Sequence, residues 1–357
     1  MDVSVVIPTY KERENLPELI RQLFTVFDTV PYECEIMFVN DYSGDKTEDY
    51  IEENKDIWRY PVYLITRYSE RGLASACIKG FSEAHGDIII VMDADLQHPP
   101  EKIKEMIEAI KKNADIVVGS RYTKEGSIGD FGFTRRIISK GASFLFNTFF
   151  PDIKISDTQS GFFAFKKEVI ADADLRPKGY KILLEILVHG EYKKIEEIGI
   201  GFRERYKGSS KLGIGVIFSY LIHLLHLLYS SGKMGTLFKF CLVGFSGVFV
   251  NLGTLYFLTN AGIYYLLSGL VAVELSLLTN FFVNRMWTFK KLSAEIGFIK
   301  SLFKDHVVRL LGIAIKMVCL FALTEYFGFY YITSMIIGII VATMWNFIGN
   351  VKWVWKK

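Results

Sequence analysis

Two aspartates that stand two residues apart, Asp93 and Asp95, close an apolar run at 87–92 that is typical of a buried strand. Mg²⁺ and Mn²⁺ prefer hard oxygen ligands, and proteins hold these ions with one or two carboxylates plus the phosphates of a substrate. The spacing therefore indicates a divalent cation that grips a pyrophosphate. The pair is also compatible with a cap on the next helix, because Pro99 and Pro100 follow and proline favours the first helical turn.

The elements that would position this pair alternate along the chain. Hydrophobic periodicity predicts strands at 3–7, 33–39, 61–65, 87–93 and 114–118, with helices at 13–27, 45–54, 72–84 and 99–111. The alternation predicts an α/β fold with a Rossmann-like, mostly parallel sheet, in which ligands bind beyond the carboxyl ends of the strands. Polar clusters also follow the first three strands: Pro8-Thr9-Tyr10-x-Glu12, Asn40-Asp41-Tyr42-Ser43-Gly44-Asp45 and Arg71-Gly72-Leu73-Ala74.

Composition separates a polar first part from an apolar second part. The 357 residues are long enough for two domains, and half of them are hydrophobic, but long apolar blocks begin only near residue 237. The four cysteines are scattered without metal-ligand spacing, so neither a disulfide nor zinc is expected. Neither the dinucleotide glycine fingerprint nor a P-loop is present as a motif. Met1 runs directly into the strand at 3–7, so we expect no cleavable signal peptide and a cytosolic first domain.

Four apolar segments, 240–258, 264–284, 308–327 and 331–349, predict membrane spans, because each is close to the ~20 residues that a bilayer requires. Basic residues concentrate at 285–309 and in the tail, whereas the short loops at 259–263 and 326–330 carry none. The positive-inside rule then predicts a multi-pass membrane protein with both termini cytosolic. Glu274 and Lys316 lie deep in the second and third spans, and we expect them to pair with each other, since intramembrane charges need partners.

The apolar part contains an internal repeat. The motif Asn280-Phe281-Phe282-x-Asn284-x-x-Trp287-x-Phe289 recurs 66 residues later as Asn346-Phe347-Ile348-x-Asn350-x-x-Trp353-x-Trp355. Each copy is predicted to be a two-span hairpin with two asparagines on one helix face. This pattern resembles the GtrA-like membrane domain, which accompanies polyprenyl-phosphate glycosyltransferases. The asparagines are expected to form interhelical hydrogen bonds, and a lipid head group is the alternative ligand.

A linking stretch at 214–228 is strongly apolar but short, and Ser219, His223 and His226 share one of its faces. We interpret it as an interfacial helix with both histidines at the polar boundary; a buried linker helix is the alternative. Upstream, Glu185 is compatible either with a sugar contact or with a cap or salt bridge.

The polar motifs of the first part resemble those of family 2 glycosyltransferases with a GT-A fold, and most closely the dolichol-phosphate mannose synthases. The resemblance covers residues 1 to about 211 and rests on motifs that are jointly specific: Val6-Ile7-Pro8-Thr9-Tyr10-x-Glu12, Asp41-x-Ser43-x-Asp45, Met92-Asp93-Ala94-Asp95-Leu96-Gln97-His98-Pro99-Pro100-Glu101, Gly119-Ser120-Arg121-Tyr122, Asp157-x-x-Ser160-Gly161-Phe162 and Gly208-x-Ser210-Lys211. Asn40 departs from the family, which usually has aspartate there.

The resemblance implies roles for particular residues. Those implied to bind the nucleotide sugar are Pro8, Tyr10, Glu12, Val39, Asp41, Asp93, Ala94, Asp95, Gln97, Arg205 and Lys211. Those implied to hold Mn²⁺ or Mg²⁺ are Asp93, Asp95 and Gln97, and those implied to meet an acceptor phosphate are Arg121 and Arg135. Asp95, both arginines and Asp157 are the expected catalytic set, with Asp157 organising an arginine or the sugar rather than acting as a base.

The expected organisation is a catalytic domain at 1–211, an interfacial linker at 212–232 and an all-α membrane domain of four spans at 233–357. The resemblance implies inverting transfer of mannose from GDP-mannose to dolichyl or another polyprenyl phosphate at the cytosolic face of a lipid bilayer. UDP-glucose-dependent glucosyl transfer to a polyprenyl phosphate is the alternative. A flippase or scaffold is disfavoured by the intact Asp-x-Asp motif. We expect no nucleic-acid partner and no requirement for an obligate protein partner.

Overall fold

A computed structural model of the chain describes residues 1–127, 133–176, 181–203 and 214–356, apart from the side chains of 133–135 and 214. The chain forms two compact units, Met1–Ser231 and Gly232–Lys357.

The described part of the first unit is an α/β sandwich. Its strands are β1 (Val3–Thr9), β2 (Cys34–Asp41), β3 (Val62–Arg67), β4 (Ile88–Val91), β5 (Ile116–Ser120), β6 (Phe163–Lys166) and β7 (Ile195–Gly199). Its helices are α1 (Leu16–Phe27), α2 (Thr47–Asn54), α3 (Leu73–Glu83), α4 (Lys102–Lys111), α5 (Phe133–Phe149), α6 (Ile182–His189) and α7 (Ile214–Ser230), with a short 3-10 helix at Lys167–Ile170. The strand order is β3-β2-β1-β4-β6-β5-β7.

The sheet is parallel except for β6, which runs antiparallel to both β4 and β5. The mostly parallel sheet predicted from the alternating pattern is therefore confirmed. Its central strands are buried on both faces, and α1 covers one face with side chains at helical spacing, Leu16, Leu19, Leu23 and Phe27. Burial of each such side chain contributes about 1.5–3 kcal/mol, so this packing holds α1 against the sheet.

The chain reverses direction across the sheet between β1 and β4. From β1 it proceeds outward through β2 to β3, and β4 then returns to the other side of β1. Such a switch point opens a crevice beyond the carboxyl ends of the two strands. The register β1–β2 pairs Thr9 with Asn40, and the register β2–β3 pairs Asp41 with Arg67, so the polar clusters meet at this edge.

The segment after β4 corrects two predicted boundaries. The strand ends at Val91, and α4 begins only at Lys102, because residues 92–101 form an irregular loop in which Leu96 has a positive φ of 62°. The residue that precedes α4 is Glu101, and the Oδ1 atom of Asp95 accepts a bond from the amide of Gln97 (3.2 Å). The aspartate pair is therefore not the cap of this helix.

Helix α7 packs one face on the rest of the first unit. The hydroxyl of Tyr220 donates to the carbonyl oxygen of Ala142 (2.7 Å), and the Nε2 atom of His223 lies 2.8 Å from Oε1 of Glu185. The predicted polar boundary position of His223 is wrong, since this side chain is only 3% exposed. The opposite face exposes large apolar side chains, namely Phe218, Ile222, Leu225 and Tyr229.

The second unit contains helices α8 (Met234–Asn260), α9 (Tyr265–Val283), α10 (Lys290–Ser293), α11 (Phe298–Glu325) and α12 (Tyr331–Gly349). In the described chain, four helices are long and apolar enough to cross a membrane: α8, α9, α11 and α12. Helix α11 begins ten residues before the predicted span at 308, so Lys300, Lys304 and Arg309 lie in the helix rather than in a loop. Hydropathy did not indicate this start because the first turns of α11 are polar.

The internal repeat appears in the backbone as well as in the sequence. Helices α8 and α9 form one hairpin and α11 and α12 another, and each hairpin ends in a π-helical turn, at Asn284–Thr288 and Asn350–Val354. The side chain of Asn280 packs against Gly247, and that of Asn346 packs against Gly312, so closely that neither glycine has room for a Cβ atom. The first asparagine of each copy therefore lies in a helix–helix contact.

The predicted pair between Glu274 and Lys316 is wrong. The Oε1 atom of Glu274 lies 3.1 Å from the Nε2 atom of His306 on α11. Lys316 is ten residues further along α11, roughly 15 Å, and packs against Gly338 of α12. The partner of Glu274 depends on the depth at which α9 meets α11, which hydropathy does not specify.

Candidate active site

The loop after β4 places Asp93 and Asp95 between two cavities and Gln97 at the second of them. Both aspartates line both cavities, and Asp95 is only 5% exposed. The Nε2 atom of Gln97 donates to the carbonyl oxygen of Arg203 (3.1 Å). The amide oxygen of Gln97, Oε1, therefore points away from that hydrogen bond. The loop thus collects oxygen atoms of three side chains at the switch point of the sheet.

This donor set fits a hard divalent cation. Two carboxylates and an amide oxygen are ligands of the kind that Mg²⁺ and Mn²⁺ take, and neither histidine nor thiolate coordination is needed. Among the described residues, no group of three or more His, Cys, Asp or Glu side chains could hold a metal ion by itself. Mg²⁺ is usually held by one or two carboxylates plus water and substrate phosphates, and an ion held by Asp93, Asp95 and Gln97 would fit that pattern.

The first cavity, of about 230 Å³, lies beyond β1 and β2. Its lining residues are Pro8, Thr9, Tyr10, Glu12, Asp41, Leu73, Ala76, Asp93, Ala94 and Asp95. The structure thus brings together most of the residues that the resemblance implied for the nucleotide. Val39 does not line this cavity, because it is fully buried in β2 and its side chain faces Gly80 of α3.

Asp41 forms a buried ion pair with Arg67. Its Oδ1 atom accepts from Nε of Arg67 (2.7 Å), and its Oδ2 atom accepts from the amide of Gly72 (2.8 Å). Arg67 also donates to the Ser75 hydroxyl (2.8 Å), so the pair orders the loop that leads into α3. Gly72 has a φ of 139°, which disfavours any side chain there. This loop places Arg71 over the ring of Tyr10, 5.5 Å from its centroid.

Asn40 has a structural role that explains how the chain tolerates its departure from the family. The side chain is fully buried, its Nδ2 atom donates to Oε1 of Glu48 (2.6 Å), and its Oδ1 atom accepts from the Thr9 hydroxyl (3.3 Å). It therefore ties α2 to the end of β1.

The second cavity, of about 180 Å³, lies on the other side of the aspartates. Its lining residues are Asp93, Asp95, Gln97, His98, Arg121, Gln159, Ser160, Gly161, Lys181, Ile200 and Phe202. The Nε and Nη2 atoms of Arg121 donate to the two carboxylate oxygens of Asp157, each at 2.8 Å. Burial alone would lower the pKa of Arg121, but the carboxylate of Asp157 raises it above its usual value, so the guanidinium stays charged.

His98 is a site residue to which the sequence reasoning gave no role. Its Nδ1 atom accepts from the amide of Asp93 (3.1 Å), and its ring stacks on Phe162 with centroids 5.3 Å apart. Burial, opposed by the charge of Asp95, lowers the pKa of His98 to about 4, so the ring is neutral near pH 7. A Cβ atom on Gly161 would lie 2.8 Å from Oδ2 of Asp93, which explains the glycine of the Ser160-Gly161-Phe162 motif.

Lys181 was also missed. It directly precedes α6, and its Nζ atom donates to the carbonyl oxygen of Gln159 (2.7 Å) at the wall of the second cavity. Lysine is so common on protein surfaces that the sequence alone does not indicate Lys181 as a site residue. The only local signal is that Lys181 follows the motif at 157–162 by fewer than 25 residues.

Three implied site residues are not placed. Arg205 and Lys211 lie outside the described residues, and so does the side chain of Arg135, whose backbone belongs to α5. The amide of Arg203 donates to the carbonyl oxygen of Gln97 (3.0 Å), so the chain enters the segment at 204–213 beside the aspartate pair.

The first unit has the mostly parallel sheet of a GT-A-like fold, and the described part of the second unit has four helices that are long and apolar enough to cross a membrane. Residues 4–173 match the family described as glycosyl transferase family 2, and residues 239–355 match the GtrA/DPMS transmembrane domain. A solved structure of glucosyl-3-phosphoglycerate synthase from Mycobacterium tuberculosis, in complex with Mn²⁺, UDP-glucose and phosphoglyceric acid, shares the fold with a TM-score of 0.50. It is 16% identical and covers 65% of this chain and 80% of its own.

Curated relatives narrow the class. The dolichol-phosphate mannosyltransferase of Pyrococcus furiosus is 42% identical over 356 residues, 99% of both chains. The protein of that name from Mycosarcoma maydis is 37% identical over 233 residues, 63% of this chain and 78% of its own length. The chain belongs to the dolichol-phosphate mannosyltransferase family, whose members are glycosyltransferases.

Proposed function

We propose that this enzyme transfers mannose from GDP-mannose to dolichyl or another polyprenyl phosphate, with inversion, and so forms dolichyl β-D-mannosyl phosphate. One observation carries the proposal: two cavities, one framed by the implied nucleotide residues and one holding Arg121, share the walls Asp93 and Asp95. A donor whose diphosphate lies at the shared aspartates would extend its sugar toward the second cavity. The relative from Pyrococcus furiosus, named for mannosyl transfer to dolichol phosphate, supports this choice of sugar and acceptor.

On the donor side, Pro8, Tyr10, Glu12 and Asp41 would surround the base and ribose. Asp93, Asp95 and Oε1 of Gln97 would hold Mg²⁺ or Mn²⁺, which supplies electrostatic stabilisation of the negative charge that develops on the leaving diphosphate. The structural neighbour whose complex contains Mn²⁺ and a nucleotide sugar supports such an ion. Arg205 and Lys211 would add positive charge at the phosphates.

On the acceptor side, no general base is required. A lipid monophosphate is an anion near neutral pH, whereas a sugar hydroxyl would need a group to take its proton. The buried carboxylate nearest this role, Asp157, has both oxygens bound to Arg121 and is 0% exposed, which supports a role in orienting the arginine. A guanidinium plane matches phosphate oxygens, so Arg121, joined by Arg135, would receive the acceptor.

We further propose that the catalytic unit acts at the cytosolic face of the membrane, with both termini in the cytosol. The positive-inside pattern supports this orientation. The exposed apolar face of α7, formed by Phe218, Ile222, Leu225 and Tyr229, would lie in the interfacial region of the bilayer.

The test is an assay of the purified full-length protein with a panel of labelled sugar nucleotides and dolichyl phosphate, with and without a chelator. We expect labelled lipid from GDP-mannose only, and none after chelation. Labelled lipid from UDP-glucose alone would replace the proposal with the glucosyl-transfer alternative. An unchanged rate in chelator would remove the metal assignment.

A further inference from the structure

We propose that Lys181 is a binding residue for the phosphate of the acceptor lipid, in the second cavity beside Arg121. This inference rests on the proposed function and adds a residue to its acceptor site. Lys181 lines the cavity that contains Arg121, and it is not among the described residues that line the nucleotide cavity.

The Lys181 ammonium is held at the wall of the second cavity by a hydrogen bond to the backbone. Its Nζ atom donates to the carbonyl oxygen of Gln159 (2.7 Å), and Gln159 stands two residues before Gly161, which abuts Asp93. An ammonium has three N–H donors, so this bond is compatible with further bonds to phosphate oxygens.

The helix that follows Lys181 is firmly anchored. One turn along α6, Glu185 is 1% exposed, and its Oε1 atom lies 2.8 Å from Nε2 of His223 on α7. The same α7 exposes Phe218 and Leu225 on its other face. Lys181 is therefore mounted on a helix that packs against the segment proposed to touch lipid, as an acceptor carried by a lipid requires.

The charged groups of the cavity suit an anionic ligand. Among the described lining residues, the cations are Arg121 and Lys181, and the anions are Asp93 and Asp95. A bound divalent cation would balance the two aspartates, and Arg121 is paired with Asp157. An entering phosphate would meet cationic side chains in this cavity, which favours its binding because an anion in a partly buried site needs opposite charge.

The experiment compares Lys181→Ala, Lys181→Met and Lys181→Arg in the full-length enzyme. Loss of a charge-assisted bond predicts that KM for the acceptor rises about tenfold or more in the Ala and Met variants, while KM for GDP-mannose stays within about twofold. The Met variant keeps the apolar stem and guards against a folding defect, and Arg should restore most of the acceptor affinity. Lys79→Ala, on the exposed face of α3, is the matched control.

Equilibrium binding of a short-chain polyprenyl phosphate without donor makes the test independent of turnover. We expect weaker binding by the Ala and Met variants than by the wild-type protein. A raised KM for GDP-mannose with unchanged acceptor binding would assign Lys181 to the sugar and overturn the proposal, as would an unchanged KM for both substrates. Wild-type protein that binds the lipid phosphate but does not use GDP-mannose would contradict the proposed function while leaving the Lys181 comparison valid.

Discussion

The carboxylate of Asp157 holds the guanidinium of Arg121 by two hydrogen bonds of 2.8 Å, and the two side chains are 0% and 8% exposed. Because both oxygens of Asp157 face the arginine, the pair presents positive charge rather than a proton acceptor to the second cavity. Its geometry thus agrees with an acceptor that is already an anion.

Asp157→Asn should leave Arg121 buried without its charge partner. We expect a loss of about 3–5 kcal/mol in the free energy of unfolding of the first unit and a fall in kcat/KM for the acceptor of about a hundredfold. Denaturant unfolding and steady-state kinetics measure the two effects. Asp115→Asn is the control, because Asp115 pairs with Lys166 at the start of β5 in a more exposed ion pair. Equal effects of both substitutions would contradict the role given to Asp157.

Asp95→Ala should lower turnover by about a hundredfold or more, because the cation that would stabilise the leaving diphosphate would lose a buried carboxylate ligand. Turnover is measured over a titration of Mg²⁺ and of Mn²⁺. Asp87→Ala, an exposed carboxylate just before the same strand, should leave the titration unchanged. Full activity of the Asp95 variant at low metal concentration would exclude the aspartate pair as the metal site.

Gly161→Ala should weaken metal activation without removing any ligand. A Cβ atom there would lie 2.8 Å from Oδ2 of Asp93 and would displace that carboxylate. Displaced ligands weaken metal affinity by about 10–100-fold, so the Mn²⁺ concentration for half-maximal turnover should rise by that factor. Gly141→Ala on α5, where a Cβ atom meets nothing within 4 Å, is the matched substitution. A normal Mn²⁺ requirement in the Gly161 variant would count against Asp93 as a ligand.

Arg67→Ala should raise KM for the donor, because it unpairs Asp41 and releases the loop that carries Arg71 over Tyr10. Unpairing a buried charge should also lower the free energy of unfolding by about 3–5 kcal/mol. Donor titrations and denaturant unfolding report both effects. Arg59→Ala breaks an exposed ion pair with Asp28 and is the control. It should leave KM for the donor unchanged and should change the free energy of unfolding by no more than about 1 kcal/mol.

The double substitution Phe218→Ser with Leu225→Ser tests the apolar face of α7. Each side chain should contribute about 1.5–3 kcal/mol when it enters an apolar environment, so activity on a long polyprenyl phosphate in bilayers should fall. Activity on a short, soluble prenyl phosphate should persist. Ile57→Ser removes an even more exposed apolar side chain elsewhere on the first unit and is the control. If both acceptors are lost together, α7 serves the fold rather than the membrane contact.

The sequence was sufficient to predict the sheet edge because hydrophobic periodicity and polar strand ends are local signals. The pair of Asp41 with Arg67 was not predictable, since it depends on the register between β2 and β3. His98 and Lys181 join the site through the loop after β4 and the start of α6, whose paths are set by tertiary packing.

In the membrane unit, too, local sequence signals predicted some features, whereas tertiary packing determines others. Hydropathy located the apolar segments, since the bilayer sets their length, but it missed the polar start of α11. It also paired Glu274 with the wrong residue, because the rotation and depth of helices are determined by packing contacts such as Asn280 against Gly247.

The most direct measurement of the central claim compares two acceptors, dolichyl phosphate and unphosphorylated dolichol, with labelled GDP-mannose and Mn²⁺. Without a group to take a proton, the enzyme should label the phosphate and leave the alcohol untouched, and the product should be the β anomer. Transfer to the alcohol at a comparable rate, or an α-linked product, would contradict the account.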